Sequence, residues 1–116
     1  MKAINLVENG QVVAVGLFFG NGEETIREMK AGVPLQNVVR TVIWANGETK
    51  VEVLADHYFL WSAKEYVKSV IETYPTRYSK HGNTLEITEQ NEVMVRFAYT
   101  TEDRGNAVVT VEAQAV

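Results

Sequence analysis

Three asparagine–glycine pairs fall in the first half of the chain, and two of them lie between runs that alternate apolar and polar residues. These two are Asn9-Gly10 and Asn46-Gly47. Both central residues of a type I′ turn need positive φ, which asparagine and glycine adopt readily, so the pattern predicts two β-hairpins. The third pair, Asn21-Gly22, precedes a helical pattern. The spacing therefore predicts a sheet assembled from hairpins, with a helix after the first of them.

Two-residue loops in these hairpins would fix which residues face the core. In the first hairpin, Leu6 would then face Val13, and the core face holds Ile4, Leu6, Val13, Val15 and Leu17. The second hairpin would pair Trp44 with Thr49. Its buried face holds Val42, Trp44, Val51 and Val53, and its outward face holds Thr41, Ile43, Lys50 and Glu52. Arg40 falls on the apolar face, and we expect it at the sheet edge with its guanidinium in water.

The first helix is predicted between a capping pattern and a glycine stop. Asn21 and Glu24 have capping-box spacing, and Gly32 favours a helix end. Ile26 and Met29 form its narrow apolar stripe.

The second helix shows a longer apolar stripe. Ser62 and Glu65 have capping-box spacing, Trp61 and Tyr66 occupy the positions of a hydrophobic staple, and Pro75 is predicted to end the helix. The stripe comprises Tyr66, Val67, Val70, Ile71 and Tyr74.

Alternation with period two returns after this helix, in Leu85 and Ile87 and again from Val93 to Tyr99. For both runs to face the core, we predict a three-residue loop with a bulge near Gln90-Asn91. The last strand would bury Ala107, Val109 and Val111, or alternatively Val108 and its neighbours. The element order ββα-ββα-βββ predicts an α+β fold, with a largely antiparallel sheet and two helices packed on one face, in a single domain over residues 1–116.

Charge and composition limit which classes of function are compatible with this chain. Eleven basic and fifteen acidic residues give a net charge of −4, which disfavours binding to a nucleic-acid backbone. The chain has no cysteine, which excludes disulfides, thiolate metal sites and a cysteine nucleophile. The first residues lack the apolar region of a signal peptide, and no run reaches the length of a membrane span. We therefore expect a cytoplasmic protein without a membrane partner.

The sequence shows no recognisable catalytic or metal-binding constellation. Gly20-Asn21-Gly22 lies where a phosphate-binding loop would lie, but Thr25 occupies the position of the third glycine. The two histidines are His57 and His81. Asp56 precedes His57, but neighbours on an extended strand point in opposite directions, so we expect no catalytic pair there. We expect no catalytic residue, no metal and no cofactor.

A connection predicted over residues 73–83 carries cations interleaved with aromatic rings. Arg77, Tyr78, Lys80 and His81 form a candidate binding patch. Aromatic residues mixed with cations suit base stacking with phosphate neutralisation, and they equally suit a protein hot spot. The third interpretation is a positively charged loop that lies in water and binds nothing.

Four aromatic residues form a second candidate set: Trp44, Tyr58, Phe59 and Trp61. Core packing explains them, and the alternative is an apolar surface for a partner protein or for self-association.

These observations predict a small non-enzymatic interaction or regulatory protein. It would act as an adaptor or inhibitor by presenting a surface to a protein partner. A homodimer is one state in which it would do so. The first alternative is a nucleic-acid or nucleotide-binding module that uses Arg77, Tyr78, Lys80 and His81. The second is a small enzyme that uses carboxylates or tyrosine with His57 or His81.

Overall fold

The computed structural model describes residues 2–8, 11–18, 22–79 and 82–116, with side chains described from residue 24 onward within those ranges. The elements in chain order are β1 (Lys2–Glu8), β2 (Gln11–Phe18), α1 (Gly22–Ala31), β3 (Gln36–Trp44), β4 (Thr49–Tyr58), α2 (Leu60–Tyr78), β5 (Thr84–Gln90), β6 (Met94–Thr101) and β7 (Gly105–Ala115). The strands form one sheet in the order β1-β2-β4-β3-β7-β6-β5. Neighbouring strands are antiparallel, except that β2 and β4 are parallel. The predicted α+β class, element order and helix placement are confirmed.

The hydrophobic core lies between α2 and the sheet. The sheet contributes side chains that are almost completely buried, namely Val38, Val95, Phe97, Val109 and Val111. The helix contributes Ala63, Val67, Val70 and Tyr74, with Tyr66 and Ile71 packed against them. The predicted stripe of α2 and the predicted buried face of β7 are both confirmed. Neither described helix has the length and apolar character needed to cross a membrane.

The second hairpin has a three-residue loop in place of the predicted two-residue loop. The Trp44 N–H donates to the Glu48 carbonyl at 2.8 Å, and the Gly47 N–H donates to the Trp44 carbonyl at 2.9 Å. Gly47 has a φ of 90°, the left-handed conformation that closes a loop of this length. Trp44 therefore lies opposite Glu48, not opposite Thr49.

This one-residue shift turns β4 over relative to the prediction. Arg40 lies opposite Glu52, and Lys50 and Glu52 share the face on which α2 packs. Val51 and Val53, predicted to be buried, are 62% and 57% exposed on the other face. Their predicted burial is wrong because the loop is longer by one residue.

The first hairpin contains a bulge that the prediction lacked. Glu8 lies opposite Gln11, as a two-residue loop requires, but the register shifts beyond Val7 and places Leu6 opposite Ala14. The predicted pairing of Leu6 with Val13 is therefore wrong.

Several predictions fall outside the described residues. They concern the Asn9-Gly10 turn, the Asn21 cap and its glycine loop, Lys80 and His81, and the side-chain faces of β1 and β2.

The predicted bulge near the β5–β6 turn exists, but it lies within β5. The register shifts between Ile87 and Glu89, so the extra residue is Thr88. The Asn91 N–H donates to the Met94 carbonyl at 2.8 Å and closes a two-residue loop, not the predicted three-residue loop. Ile87, predicted to face the core, is 38% exposed because β5 is the edge strand.

The end of α1 is formed by the predicted glycine. Gly32 has a φ of 72°, its N–H donates to the Met29 carbonyl at 3.2 Å, and the Val33 N–H donates to the Glu28 carbonyl at 3.1 Å. This pair of bonds is a Schellman motif. Ile26, predicted on the apolar stripe, is 39% exposed.

The start of α2 differs from the prediction. Phe59 is the N-cap residue and makes no side-chain capping bond, while Ser62 is completely buried inside the helix. The predicted Ser62–Glu65 capping box is therefore wrong. A carboxylate from α1 caps the helix instead, because Glu28 Oε2 accepts the Trp61 N–H at 3.1 Å.

Pro75 lies inside α2 and does not end it. Proline removes one backbone bond and usually breaks a helix. Here the last turn is held by side-chain packing, because the Tyr78 ring lies 5.1 Å from that of Tyr74 and 5.9 Å from that of Tyr99. The predicted helix end is wrong because tertiary contacts outweigh the local preference.

The Glu28 cap gives the first testable prediction. Replacing Glu28 by alanine should lower the free energy of unfolding by about 1 kcal/mol, the usual cost of losing a helix cap. Urea denaturation followed by circular dichroism measures this loss. The control is Glu65→Ala, which removes the carboxylate that the sequence pattern favoured and should cost less than about 0.5 kcal/mol. The reverse order of the two variants would contradict the cap assignment.

Candidate functional site

A cavity of about 230 Å³ opens where the second hairpin, the end of α2 and the β6–β7 turn meet. It lies on the helix-bearing face of the sheet, beyond the last turn of α2. Its walls combine four aromatic residues with three cations and one acid, and they are lined by Arg40, Val42, Trp44, Lys50, Glu52, Tyr74, Tyr78, Leu85, Tyr99, Arg104 and Val109. We call it the hairpin cavity.

A continuous chain of aromatic rings connects this cavity to the core. Buried Phe97 stacks on Tyr74 with centroids 5.8 Å apart and an interplanar angle of 23°. Tyr74 contacts Tyr78 at 5.1 Å, Tyr78 contacts Tyr99 at 5.9 Å, and Tyr99 contacts Trp44 at 6.1 Å. All these separations fall within the range of favourable ring contacts. Ring contacts therefore connect the cavity wall to the core without interruption.

Arg40 and Glu52 form the inner polar wall. Arg40 Nη2 donates to Glu52 Oε2 at 2.5 Å, and Arg40 Nη1 donates to the Tyr74 hydroxyl at 2.9 Å. Lys50 Nζ lies 2.7 Å from Glu52 Oε1, so both carboxylate oxygens of Glu52 are engaged. Arg40 therefore does not lie in water at the sheet edge as predicted. It lies between β4 and α2, with 23% of its side chain exposed.

Burial and these contacts shift the pKa values of Arg40, Glu52 and Tyr74. The hydrogen bond from Lys50, followed by the hydrogen bond and charge of Arg40, lowers the pKa of Glu52. Burial opposes the charge of Arg40, but the bonds to Glu52 and Tyr74 outweigh it and raise the Arg40 pKa. Burial raises the pKa of Tyr74 despite the nearby Arg40. At neutral pH the wall therefore holds a charged ion pair next to a neutral phenol.

Arg104 forms the outer wall. Its guanidinium lies 4.0 Å from the centroid of the Trp44 ring, a cation–π contact. Its Nη2 also donates to Glu48 Oε2 at 3.1 Å, which links the β6–β7 turn to the loop of the second hairpin. The Arg104 side chain stays 57% exposed, so a ligand can reach it.

The charge of Glu52 gives a pH prediction. Because its folded-state pKa lies below the unfolded value, its stabilising contribution is complete above that value, which is ordinarily 4.5, and is lost as pH falls through the folded pKa. Wild type should therefore have a higher melting temperature than Glu52→Gln at pH 7, and the difference should shrink below about pH 4.5. Thermal denaturation from pH 7 to pH 3 measures it.

The control for this series is Glu86→Gln, which removes one carboxylate on β5 away from the hairpin cavity. Its difference from wild type should be small throughout. A Glu52→Gln difference that stays constant across the pH range would contradict the assigned contacts.

The structure describes two members of the predicted 73–83 patch, Arg77 and Tyr78, and their side chains have different surroundings. Most of that stretch is helix, because α2 continues to Tyr78. Of the two patch residues that the structure describes, Arg77 is exposed on the last turn and Tyr78 lines the hairpin cavity. Lys80 and His81 lie outside the described residues.

The predicted aromatic set is also divided. Tyr58 and Phe59 are 4% and 3% exposed in the core, where Tyr58 contacts Tyr66 edge to face at 6.2 Å. Tyr58 lies opposite Gln36 at the start of β3. Trp44 lies at the other end of this strand, which spans roughly 27 Å at about 3.4 Å per residue. Trp61 lines a second, more open cavity of about 580 Å³ between α2 and the β5–β6 turn. These four residues therefore form no single surface.

His57 and Asp56 form a hydrogen bond, although neighbours on an extended strand would point in opposite directions. His57 Nδ1 lies 2.7 Å from Asp56 Oδ1, because His57 has a φ of 55° and the strand is not extended there. The two side chains are 53% and 67% exposed, and neither lines the two cavities described above. Within residues 24–79 and 82–116, no three histidine or carboxylate side chains cluster as metal ligands.

Sequence reasoning missed Arg40, Tyr74, Tyr99 and Arg104 as site residues. Tyr74 and Tyr99 were assigned to the core by their spacing. One signal was present: Arg40 is the only charged residue on an otherwise apolar strand face, and it required a partner.

Comparisons of the chain with protein-family models, with curated proteins and with solved structures gave no match.

Proposed function

We propose that this protein is a small interaction protein, and that its hairpin cavity binds an acidic segment of a partner protein. The observation that carries the proposal is the combination of Trp44, three tyrosines, Lys50 and two arginines around one cavity. Tryptophan, tyrosine and arginine are the residues that dominate binding energy at protein interfaces.

The charge of the cavity differs from that of the whole chain. The net charge of the chain is −4, whereas the cavity lining holds three cations and one carboxylate. Lys50 and Arg104 are 72% and 57% exposed, and each has more N–H donors than its intramolecular contacts use. Carboxylate side chains of a partner fit these donors, and a cleft lined by cations attracts an anionic ligand.

The size of the cavity favours one side chain over a whole metabolite. Its volume of about 230 Å³ is below the roughly 300–1,000 Å³ of sites that enclose drug-sized ligands. A single acidic or aromatic side chain that projects from a peptide fits this space, with the rest of the peptide lying across the hairpin loop.

The proposal is tested by selecting binders from a random peptide display library and measuring the selected peptides by calorimetry. The expected peptides are enriched in aspartate and glutamate, and their affinity falls with rising salt. Arg104→Gln should weaken binding at least about tenfold, the loss expected for a charged hydrogen bond.

The matched control is Lys64→Gln, which removes a cation from the second cavity and should leave affinity within about twofold. Selection of no acidic peptide, or equal effects of the two variants, would refute the proposal.

A second candidate function is binding of single-stranded nucleic acid. Its support is that Tyr78, from the predicted patch, lies in the hairpin cavity near Arg104 and Trp44, and aromatic rings beside cations stack bases. A salt titration with a single-stranded oligonucleotide tests it. Absence of binding at low salt removes this candidate and leaves the first untouched.

A further inference from the structure

In the part of the chain that the structure describes, strand β4 has a free edge along most of its length. On one side it pairs with β3 from Thr49 to Tyr58. On the other side, within the described residues, β2 meets it only at the Leu17–Tyr58 pair. The backbone groups on the open side of Thr49–His57 therefore have no strand partner in the described part of the chain, and such an edge is a ready template for another strand.

The regular part of this edge is short and its hydrogen-bonding direction is known. The Trp44 N–H bonds to the Glu48 carbonyl, and antiparallel ladders alternate, so Lys50 and Glu52 direct their backbone groups toward β3. Thr49, Val51 and Val53 consequently direct theirs to the open side. Register shifts beyond Val53 show that a bulge ends the regular stretch there.

Side-chain charge and backbone hydrogen bonding together favour one register for a second copy of this stretch. An antiparallel pair centred on Val51 places Lys50 of each copy opposite Glu52 of the other. Centring on Lys50 or on Glu52 instead places two like charges face to face, which is destabilising. The centre at Val51 also pairs Thr49 with Val53, so all the outward backbone groups find partners in up to about six hydrogen bonds.

We propose that two copies of this chain associate through Thr49–Val53, paired antiparallel about a two-fold axis at Val51. The inference does not depend on the proposed function of the hairpin cavity. Lys50 and Glu52 line that cavity, so the two cavities of the dimer adjoin, and each receives Lys50 and Glu52 of the other copy at its mouth. On the opposite face Val51, which is 62% exposed, contacts its own counterpart.

Cysteine cross-linking tests this arrangement, because the natural chain has no cysteine. In a hydrogen-bonded antiparallel pair the Cα atoms lie about 5.5 Å apart, a separation that suits a disulfide. Val51→Cys should therefore form a covalent dimer under mild oxidation. Val53→Cys is the matched control, since Val53 is on the same face and 57% exposed. In the proposed dimer the two Val53 residues are roughly 13 Å apart, too far for a disulfide.

We expect Val51→Cys to cross-link at least about tenfold faster than Val53→Cys. Sedimentation of wild type should show a species of twice 13.0 kDa whose fraction rises with concentration. Lys50→Glu should lower that fraction, because it places two carboxylates opposite each other. A monomer at every concentration, equal cross-linking of the two cysteine variants, or a dimer that Lys50→Glu leaves unchanged would each overturn the proposal.

Discussion

Replacing Phe97 by alanine should lower the free energy of unfolding by about 3–5 kcal/mol, the range for truncating a large buried aromatic residue. Phe97 is completely buried, and its ring stacks on Tyr74 at 5.8 Å. The loss combines the hydrophobic transfer energy of the ring with the cavity left behind, and it removes the support beneath Tyr74. Because a domain of this size has a total stability of only about 5–15 kcal/mol, we expect a large fall in the urea midpoint.

Ile87 provides the matched control for Phe97. The two residues lie opposite each other on β5 and β6, but Ile87 is 38% exposed at the sheet edge. Ile87→Ala should therefore cost clearly less than Phe97→Ala, about 1 kcal/mol. If Phe97→Ala cost less than Ile87→Ala, the assigned core would be incorrect.

Replacing Trp44 by alanine should weaken binding of a selected acidic peptide about thirtyfold, which corresponds to about 2 kcal/mol at an interface hot spot. Trp44 holds Arg104 by a cation–π contact at 4.0 Å and packs against Tyr99 at 6.1 Å. Removing the ring takes away one wall of the cavity and releases the guanidinium that we expect to bind the ligand. Calorimetry with the same peptide measures the change.

The other tryptophan is the control for this experiment. Trp61 lines the second cavity and is partly exposed, as Trp44 is. Trp61→Ala should leave the peptide affinity within about twofold of wild type. Equal losses in the two variants would indicate a general effect of removing an indole and would contradict the assigned site.

Local patterns predicted the elements of this fold well. Glycine at position 32 ended α1 because the left-handed conformation favours glycine, and the alternation in β7 identified its buried face. Pro75 and Ser62 show the limit of such rules. The contact of Tyr78 with Tyr99 on β6 helps to carry α2 past the proline, and no local rule contains it.

The wrongly predicted register of the second hairpin had the largest effect on the prediction of the site. Both two-residue and three-residue loops accept Asn46-Gly47, since each places glycine at positive φ. With the two-residue loop, the prediction placed Lys50 and Glu52 on the outward face and buried Val51 and Val53. One residue in the loop therefore concealed Lys50 and Glu52, which are two of the four charged residues that line the hairpin cavity.

The aromatic part of the site was hidden for a different reason. Trp44, Tyr74 and Tyr99 belong to three elements, and a single sequence does not show which of their ends meet. The alternation and the helical stripe assigned each ring to a core face. They did not show that the sheet extends beyond the last turn of α2, which leaves these rings around an open cavity.

We propose that a partner binds in the hairpin cavity, and the two tryptophans of the chain allow a direct test of this proposal. The chain has only Trp44 and Trp61, one in each cavity, so a nitrogen-15 spectrum contains two assignable indole N–H signals. Titration with a selected acidic peptide should shift the Trp44 signal and leave the Trp61 signal in place. A shift of the Trp61 signal with an unchanged Trp44 signal would contradict the account.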